Sequence, residues 1–469
     1  MRRYDEVVML IRDQIAAGTL RVGDRLPSVR QMSKNTGFSQ VTVHRGYELL
    51  ESSGVCEARP RSGFYVAKAL TAPTAYTDTT SKRTASDPKS NPSHPSLVSW
   101  KGVSAFGLPG ASQDLFTRSV LDRTLRQVLR RGIERIDLDP QPEGFWPLRR
   151  EIARRQAQRG AVISPDDILI TSSTLEAYHL CLDAFTSVGD AVLVESPSYY
   201  PMVAGLKNRA LDVIELYSHP TLGVDPEQFE HLLQNNPVKA AIFMAAPHFP
   251  TGVTYSEDIM RALIDIARRY GVLIIENDMF GELNYGVRPA RSLRQFDDGN
   301  TVVQFSSFSH TLSPAYGVGW VVAGPHIRHV LSTQFMTGAT AADTIVQCTI
   351  AEHLGGRSYD RHLRILKSTL ASRMQVGADL IEKSFPLETS VSQPDGGYMC
   401  WLRCPKTNAA VVARAAAADG IGMLAGPMFS IAGSFQNFIA LNFSYPWTEE
   451  NTDKLRRLGQ LVKHQLTNA

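Results

Sequence analysis

Between Phe305 and Trp320 the chain reads FSSFSHTLSPAYGVGW, a run in which one imidazole, His310, stands beside the hydroxyls of Ser307 and Ser309. An imidazole there can hydrogen-bond a ligand and titrate near neutral pH. It cannot form a stable imine with an aldehyde, as a lysine amine does. A core histidine satisfied by a carbonyl is the plainer alternative, and it stays open. A second set lies near the N-terminus, where Gln40, Thr42, His44 and Arg45 fall within six residues. Amide, hydroxyl and guanidinium groups suit the base edges of a DNA groove, although each alone is equally a solvated helix surface. The five cysteines, Cys56, Cys181, Cys348, Cys400 and Cys404, lack metal-ligand spacing, so buried reduced thiols are expected and a zinc site is not.

The N-terminal groups need helices to present them. From Tyr4 to Ala17 the residues Val7, Val8, Leu10, Ile11 and Ile15 recur at helical spacing, with Gly18 as a stop. Ser28 is placed to cap a short helix, Gly37 to make a tight turn and Ser39 to cap the next helix. On that helix Val43, Tyr47 and Leu50 share one face, which leaves Gln40, Thr42, His44 and Arg45 on or near the other. The run Glu57 to Val66, broken by Pro60 and Gly63, reads as a two-stranded wing with Arg59 and Arg61 near its tip. Residues 1–68 hold eleven Lys/Arg against seven Asp/Glu, a net +4, which leaves −1 of the chain's +3 to the remainder. A basic head on a near-neutral body fits a nucleic-acid partner.

The pieces LPSVR, SxxTV and RSGFYV, in that order, resemble the winged helix-turn-helix of GntR regulators. The resemblance implies double-stranded DNA as partner, with Arg30 and Arg61 on phosphate or groove edges and Gln40, Thr42, His44 and Arg45 reading bases. Ser39 and Gly63 belong to the same DNA-binding set. Family members often carry arginine where Gln40 sits, so the base preferred there is expected to differ.

Between Leu70 and Leu97 there is no Leu, Ile, Val or Phe, and fifteen of the twenty-six residues from Thr71 to Ser96 are Thr, Ser or Pro. Too little apolar surface is available to offset the entropy of ordering, so residues 69–99 are expected to be a linker. Beyond it, short β-branched runs alternate with amphipathic helices: DILIT (167–171), AVLVES (191–196), AAIFMA (240–245), VLIIEN (272–277), VVQFSS (302–307) and GWVVAG (319–324). That alternation predicts an α/β body with a mostly parallel sheet covered by helices on both faces. No run approaches the roughly 18 apolar residues of a membrane span, and the amphipathic start is no signal peptide, so a cytoplasmic protein without membrane contact is expected.

The segment around His310 resembles the lysine-bearing segment of fold-type I aminotransferases, as fused to helix-turn-helix heads in MocR-type GntR regulators, where it is close to SFSKTLSPGLRLGW. Thr311, Leu312, Ser313, Pro314 and Gly319 stand where that family puts them. LPG (108–110), EGFWPLRREIA (143–153), PDGGYMCWL (394–402), a helix near 407–419 and FIALNFSYP (438–446) extend the resemblance over about 100–469. It implies a fold-type I body with a large part to about 355 and a small α+β part from about 356.

In that family the lysine forms a Schiff base with pyridoxal phosphate (PLP) and the arginine seven residues on holds its phosphate; here the positions are His310 and Gly317. The aspartate that pairs with the pyridine nitrogen corresponds to Asn277, the tyrosine on the phenolic oxygen to Met279 and the asparagine of the PxNPTG-like turn to Phe249. The arginine that grips a substrate carboxylate corresponds to Ala440. Tyr199 keeps the place of the ring that stacks on the pyridine, Ser173 and Thr174 open a phosphate-receiving helix, and Ser307 and Ser309 remain. Asp278, Arg328 or Arg403 reaching inward would be the compensations. The resemblance thus implies a DNA-binding transcriptional regulator with a degenerate body that dimerises or senses a small-molecule effector. No transamination is expected, no covalent cofactor, and PLP at most bound weakly and non-covalently. The alternatives are a PLP-dependent aminotransferase and a regulator that binds PLP without an imine.

Overall fold

The computed structural model describes residues 3–16, 19–21, 23–52, 55–59, 63–66, 105–108, 110–116, 118–131, 142–286, 289–298, 301–338 and 342–467. The chain divides into two compact units, 1–75 and 76–469. The stretch expected as a linker lies outside the described residues, as does Arg61.

In the first unit α1 (Arg3–Ala16), α2 (Val29–Thr36) and α3 (Gln40–Ser52) precede an antiparallel pair, β1 (Cys56–Arg59) and β2 (Gly63–Val66). Ser28 Oγ caps α2 by accepting from Gln31 N at 3.2 Å, and Gly37, at φ 73°, ends it with its N–H on Ser33 O. The apolar faces meet in one core of Val7, Ile11, Leu26, Met32, Val43, Tyr47, Leu50, Cys56 and Val66. Leu10 is instead 40% exposed, because it stands about 100° around the helix from Ile11, at the margin of the buried stripe.

The second unit begins with α4 (Arg118–Arg130), α5 (Trp146–Arg159), β3 (Ile168–Thr171), α6 (Thr174–Phe185), β4 (Ala191–Ser196) and α7 (Tyr200–Lys207). It continues through β5 (Asp212–His219), β6 (Gly223–Val224), α8 (Pro226–Asn235), β7 (Val238–Phe243), α9 (Glu257–Tyr270), β8 (Leu273–Asn277), β9 (Val302–Ser307) and β10 (Gly319–Val322). Then follow α10 (Ile327–Thr337), α11 (Thr344–Gly355), α12 (Ser358–Ser384), β11 (Ser390–Val391), β12 (Met399–Arg403), α13 (Ala409–Ala418), β13 (Leu424–Ala425), β14 (Phe438–Asn442) and α14 (Glu449–Thr467).

One eight-stranded sheet runs in the order β3-β10-β9-β8-β7-β4-β5-β6. The strands from β9 through β8, β7 and β4 to β5 are parallel, while β10 is antiparallel to both its neighbours and β6 to β5. All six β-branched runs are strands of this sheet. Strand β5 was not anticipated, because DVIELYSH is half-buried along most of its length and lacks a continuous apolar run. Neighbouring residues feed opposite faces: Val192, Val194, Ile242 and Ile275 enter one core, and Leu193, Ala241, Phe243 and Ile274 the other. Helix α9 shows why the second face is covered. Ser256 caps it, acidic Glu257 and Asp258 open it, Gly271 closes it, and Met260, Leu263, Ile264 and Ala267 are buried. A four-stranded antiparallel sheet, β11-β12-β14-β13, packs Cys400, Leu402, Ile439 and Leu441 with Val412, Leu455, Leu458 and Val462 of α13 and α14. Among the described residues no helix is long and apolar enough to cross a membrane.

Candidate functional site

The first turn of α3 is set by its own cap. Ser39 Oγ accepts from Thr42 N at 3.1 Å and shares a hydrogen bond with Thr42 Oγ1 at 2.8 Å. Thr42 is half-buried, so Gln40, His44 and Arg45 are the exposed polar side chains of this turn, with Arg30 exposed on α2. His44 stands edge-on to Phe64 of the wing, ring centroids 6.3 Å apart, which ties α3 to β2. Val41, which sequence reasoning passed over, is 79% exposed between Gln40 and Thr42.

In the second unit the expected pocket residues gather at the carboxyl ends of β3, β4, β7, β8 and β9, where open α/β sheets bind ligands. His310 follows β9, is buried, and its Nδ1 lies 2.9 Å from Tyr398 Oη. Phe280 meets the imidazole edge-on at 5.4 Å. Burial pushes His310 down to about 4, so it is neutral at neutral pH. Of the two readings open from the sequence this favours the core histidine over one titrating near neutrality, with a phenol rather than a carbonyl as its partner. Phe249, fully buried, packs against Tyr199 at 4.8 Å and Phe280 at 5.8 Å, so an aromatic row runs from Tyr199 to His310.

Asn277, buried at the end of β8, accepts from Met279 N at 3.0 Å and donates to Met202 Sδ at 3.2 Å. Its neighbour Asp278 does not substitute for the missing anion, because both its oxygens are held by the Arg159 guanidinium in a buried pair. Arg328 is exposed and Arg403 only half-buried. Ala440 is fully buried on β14 opposite Trp401. Ser307 Oγ accepts from Thr174 Oγ1 at 2.5 Å and from Ser309 N at 3.3 Å.

The helix opening expected to receive a phosphate is capped from within. Ser173 Oγ accepts from Glu176 N at 3.1 Å, and the Glu176 carboxylate in turn accepts from both the N–H and the hydroxyl of Ser172. A side chain at Gly317 would place its Cβ 2.9 Å from Ser172 O, so the two loops touch backbone to backbone. Glu176 was missed although its signal was present: Ser173-x-x-Glu176 is the capping-box spacing. Tyr398, Phe280 and Met202 were missed because only tertiary packing brings them to this site.

Six of the lysines on the described stretches of this unit, Lys207, Lys239, Lys383, Lys406, Lys454 and Lys463, are exposed or half-buried at the surface. Lys367 donates to Asn284 Oδ1 and Gly286 O, both at 3.3 Å. A narrow cavity of about 20 Å³ beside the niche is lined by Gln156, Arg159, Asp278, Thr311 and Trp320 and shares Met279 and Ser307 with the expected set.

Comparison with known proteins bears on both units. The model of the bacterial regulatory proteins, gntR family, matches residues 3–66, and that of aminotransferase class I and II matches residues 127–455. The uncharacterized HTH-type transcriptional regulator YdcR of Escherichia coli (strain K12) is 34% identical across 99% of this chain and 100% of its own. The uncharacterized HTH-type transcriptional regulator YjiR of the same organism is 28% identical across 98% and 99%. Among solved structures, the multiple substrate aminotransferase of Thermococcus profundus matches with a TM-score of 0.73 at 24% identity, over 80% of this chain and 94% of that one, a likeness of fold.

Proposed function

The chain belongs to the MocR-type regulators, a gntR-family head joined to an aminotransferase class I and II body, and from that premise we propose a DNA-binding transcriptional regulator whose body does not transaminate. The observation that carries the reading is the contrast between the two units. The head has its own core and an exposed Gln40/His44/Arg45 turn, whereas the body has a buried histidine bonded to Tyr398 at the Schiff-base position. Arg30 holds phosphate, and Gln40, Val41, His44 and Arg45 face the bases, Val41 against a thymine methyl. Gel-shift selection from random duplexes tests this; recovery of no preferred sequence would overturn the readout.

The niche residues do not fit PLP. No lysine amine among the described residues faces the site, Asn277 spends its amide on Met279 and Met202, and Glu176 sets a carboxylate where the phosphate would enter. Absence of a borohydride-trappable imine after incubation with PLP is the expected result, and a trapped lysine would sink the reading.

The body pairs two heads. Phe335 and Met336, 85% and 79% exposed on α10, supply apolar surface for a second copy. Two heads in one dimer reach the affinity for paired half-sites that one lacks. Sedimentation of the full chain is expected to give a dimer, and a monomer at micromolar concentration would reject the assembly.

A further inference from the structure

The wing carries a third strand-like segment that the sequence did not reveal. Gly23 N donates to Val66 O, Leu26 N to Phe64 O and Val66 N to Asp24 O, at 2.8–2.9 Å, so residues 23–26 lie antiparallel along β2. Arg25 is paired with Tyr65. Paired residues in an antiparallel ladder point to the same face, and so do residues two apart on one strand. Tyr65 and Gly63 therefore share the face that Arg25 occupies, opposite Phe64, which packs on Tyr47 at 5.2 Å.

Gly63 leaves that face open. It has φ 107°, which disfavours a side chain, and a Cβ built there would meet Arg25 Nε and Nη2 at 3.4 Å. The guanidinium thus leans along the strand over the glycine, the first residue of β2. Arg25 is exposed, and no carboxylate among the described residues pairs with it. An exposed cation held on a β-ladder, with no carboxylate partner among the described residues, is pre-placed for an anion outside the molecule.

We propose that Arg25 is a DNA-backbone contact, a positioning residue that delivers a guanidinium to phosphate across the gap left by Gly63. Phosphate contacts fix orientation without reading sequence, and each releases close to one counterion. The proposal rests on the head binding DNA and adds a residue outside the α2, α3 and wing-tip sets.

The test uses the full chain, fluorescence anisotropy and a mixed-sequence duplex of about 30 base pairs, titrated at several salt concentrations. Arg25→Ala is expected to weaken binding several-fold and to lower the salt-dependence slope by about 0.9 for each bound head, about 1.8 for a dimer that seats both. Arg25→Lys is expected to restore most of the slope. Unchanged affinity in Arg25→Ala, or weaker binding with an unchanged slope, would overturn the assignment. The second of these is what a merely structural role produces. Failure of the unaltered chain to bind any duplex would count against DNA binding itself.

Discussion

His310 Nδ1 and Tyr398 Oη lie 2.9 Å apart, a bond between the turn after β9 and the residue that precedes β12. The imidazole is spent on the bond to Tyr398. Restoring the amine alone is therefore expected to fail. His310→Lys breaks the bond to Tyr398 and still lacks a phosphate arginine and a pyridine anion, so PLP should produce little imine absorbance. Strong imine absorbance in the single variant, abolished by borohydride, would show the other losses to be unimportant.

The phosphate seat gives a sharper comparison. Adding Gly317→Arg and Asn277→Asp to His310→Lys should raise PLP affinity further when Glu176→Gln is included, because the carboxylate on Ser172 repels the incoming phosphate. Equal affinity with and without Glu176→Gln, measured by absorbance titration, would remove that role. The Gly317 change should also lower the melting temperature, since its Cβ crowds Ser172 O at 2.9 Å.

On the head, Arg45→Ala and Arg30→Ala are expected to differ in kind. A lost base contact costs about 1–3 kcal/mol and relaxes preference at one position. A lost phosphate contact weakens all sequences alike and flattens the salt dependence. Val41→Ser should lose preference for thymine at one position while leaving the salt slope alone. Parallel sequence selection with each variant checks all three; identical logos for Arg45→Ala and the parent would exclude its readout.

Acid should destabilise the body through His310. Its folded pKa of about 4 lies below the ordinary 6.5, so between these values the unfolded chain holds the extra proton. The stabilising contribution is full above 6.5 and is lost as pH falls toward 4, by up to about 1.4 kcal/mol per unit. His353, also held down to about 4 by burial and by His362, adds to the same trend. His310→Gln should flatten the fall in denaturant midpoint between pH 6.5 and 4.5 relative to the parent. An unchanged slope would mean that His310 binds protons alike in the folded and unfolded chains.

Periodicity by itself determined much of this protein. The Val43/Tyr47/Leu50 stripe, the caps at Ser28 and Ser39 and the six β-branched runs are local patterns, each dictated by 3.6- or 2-residue spacing or by one backbone hydrogen bond. That His310, Gly317, Asn277 and Ala440 offer no amine, guanidinium or carboxylate is legible because a side chain's functional groups are a property of its type. What packs around them was not legible. Tyr398 lies 88 residues from His310, and Arg159 119 residues from Asp278, and no local spacing records such a pairing. Strand β5 escaped because it is half-buried along most of its length and carries no continuous apolar run, and that burial is fixed by what packs on the sheet. Arg25 comes to lie over Gly63 only through the ladder with β2. Contacts between distant residues depend on how the elements pack, and that was decided only in three dimensions.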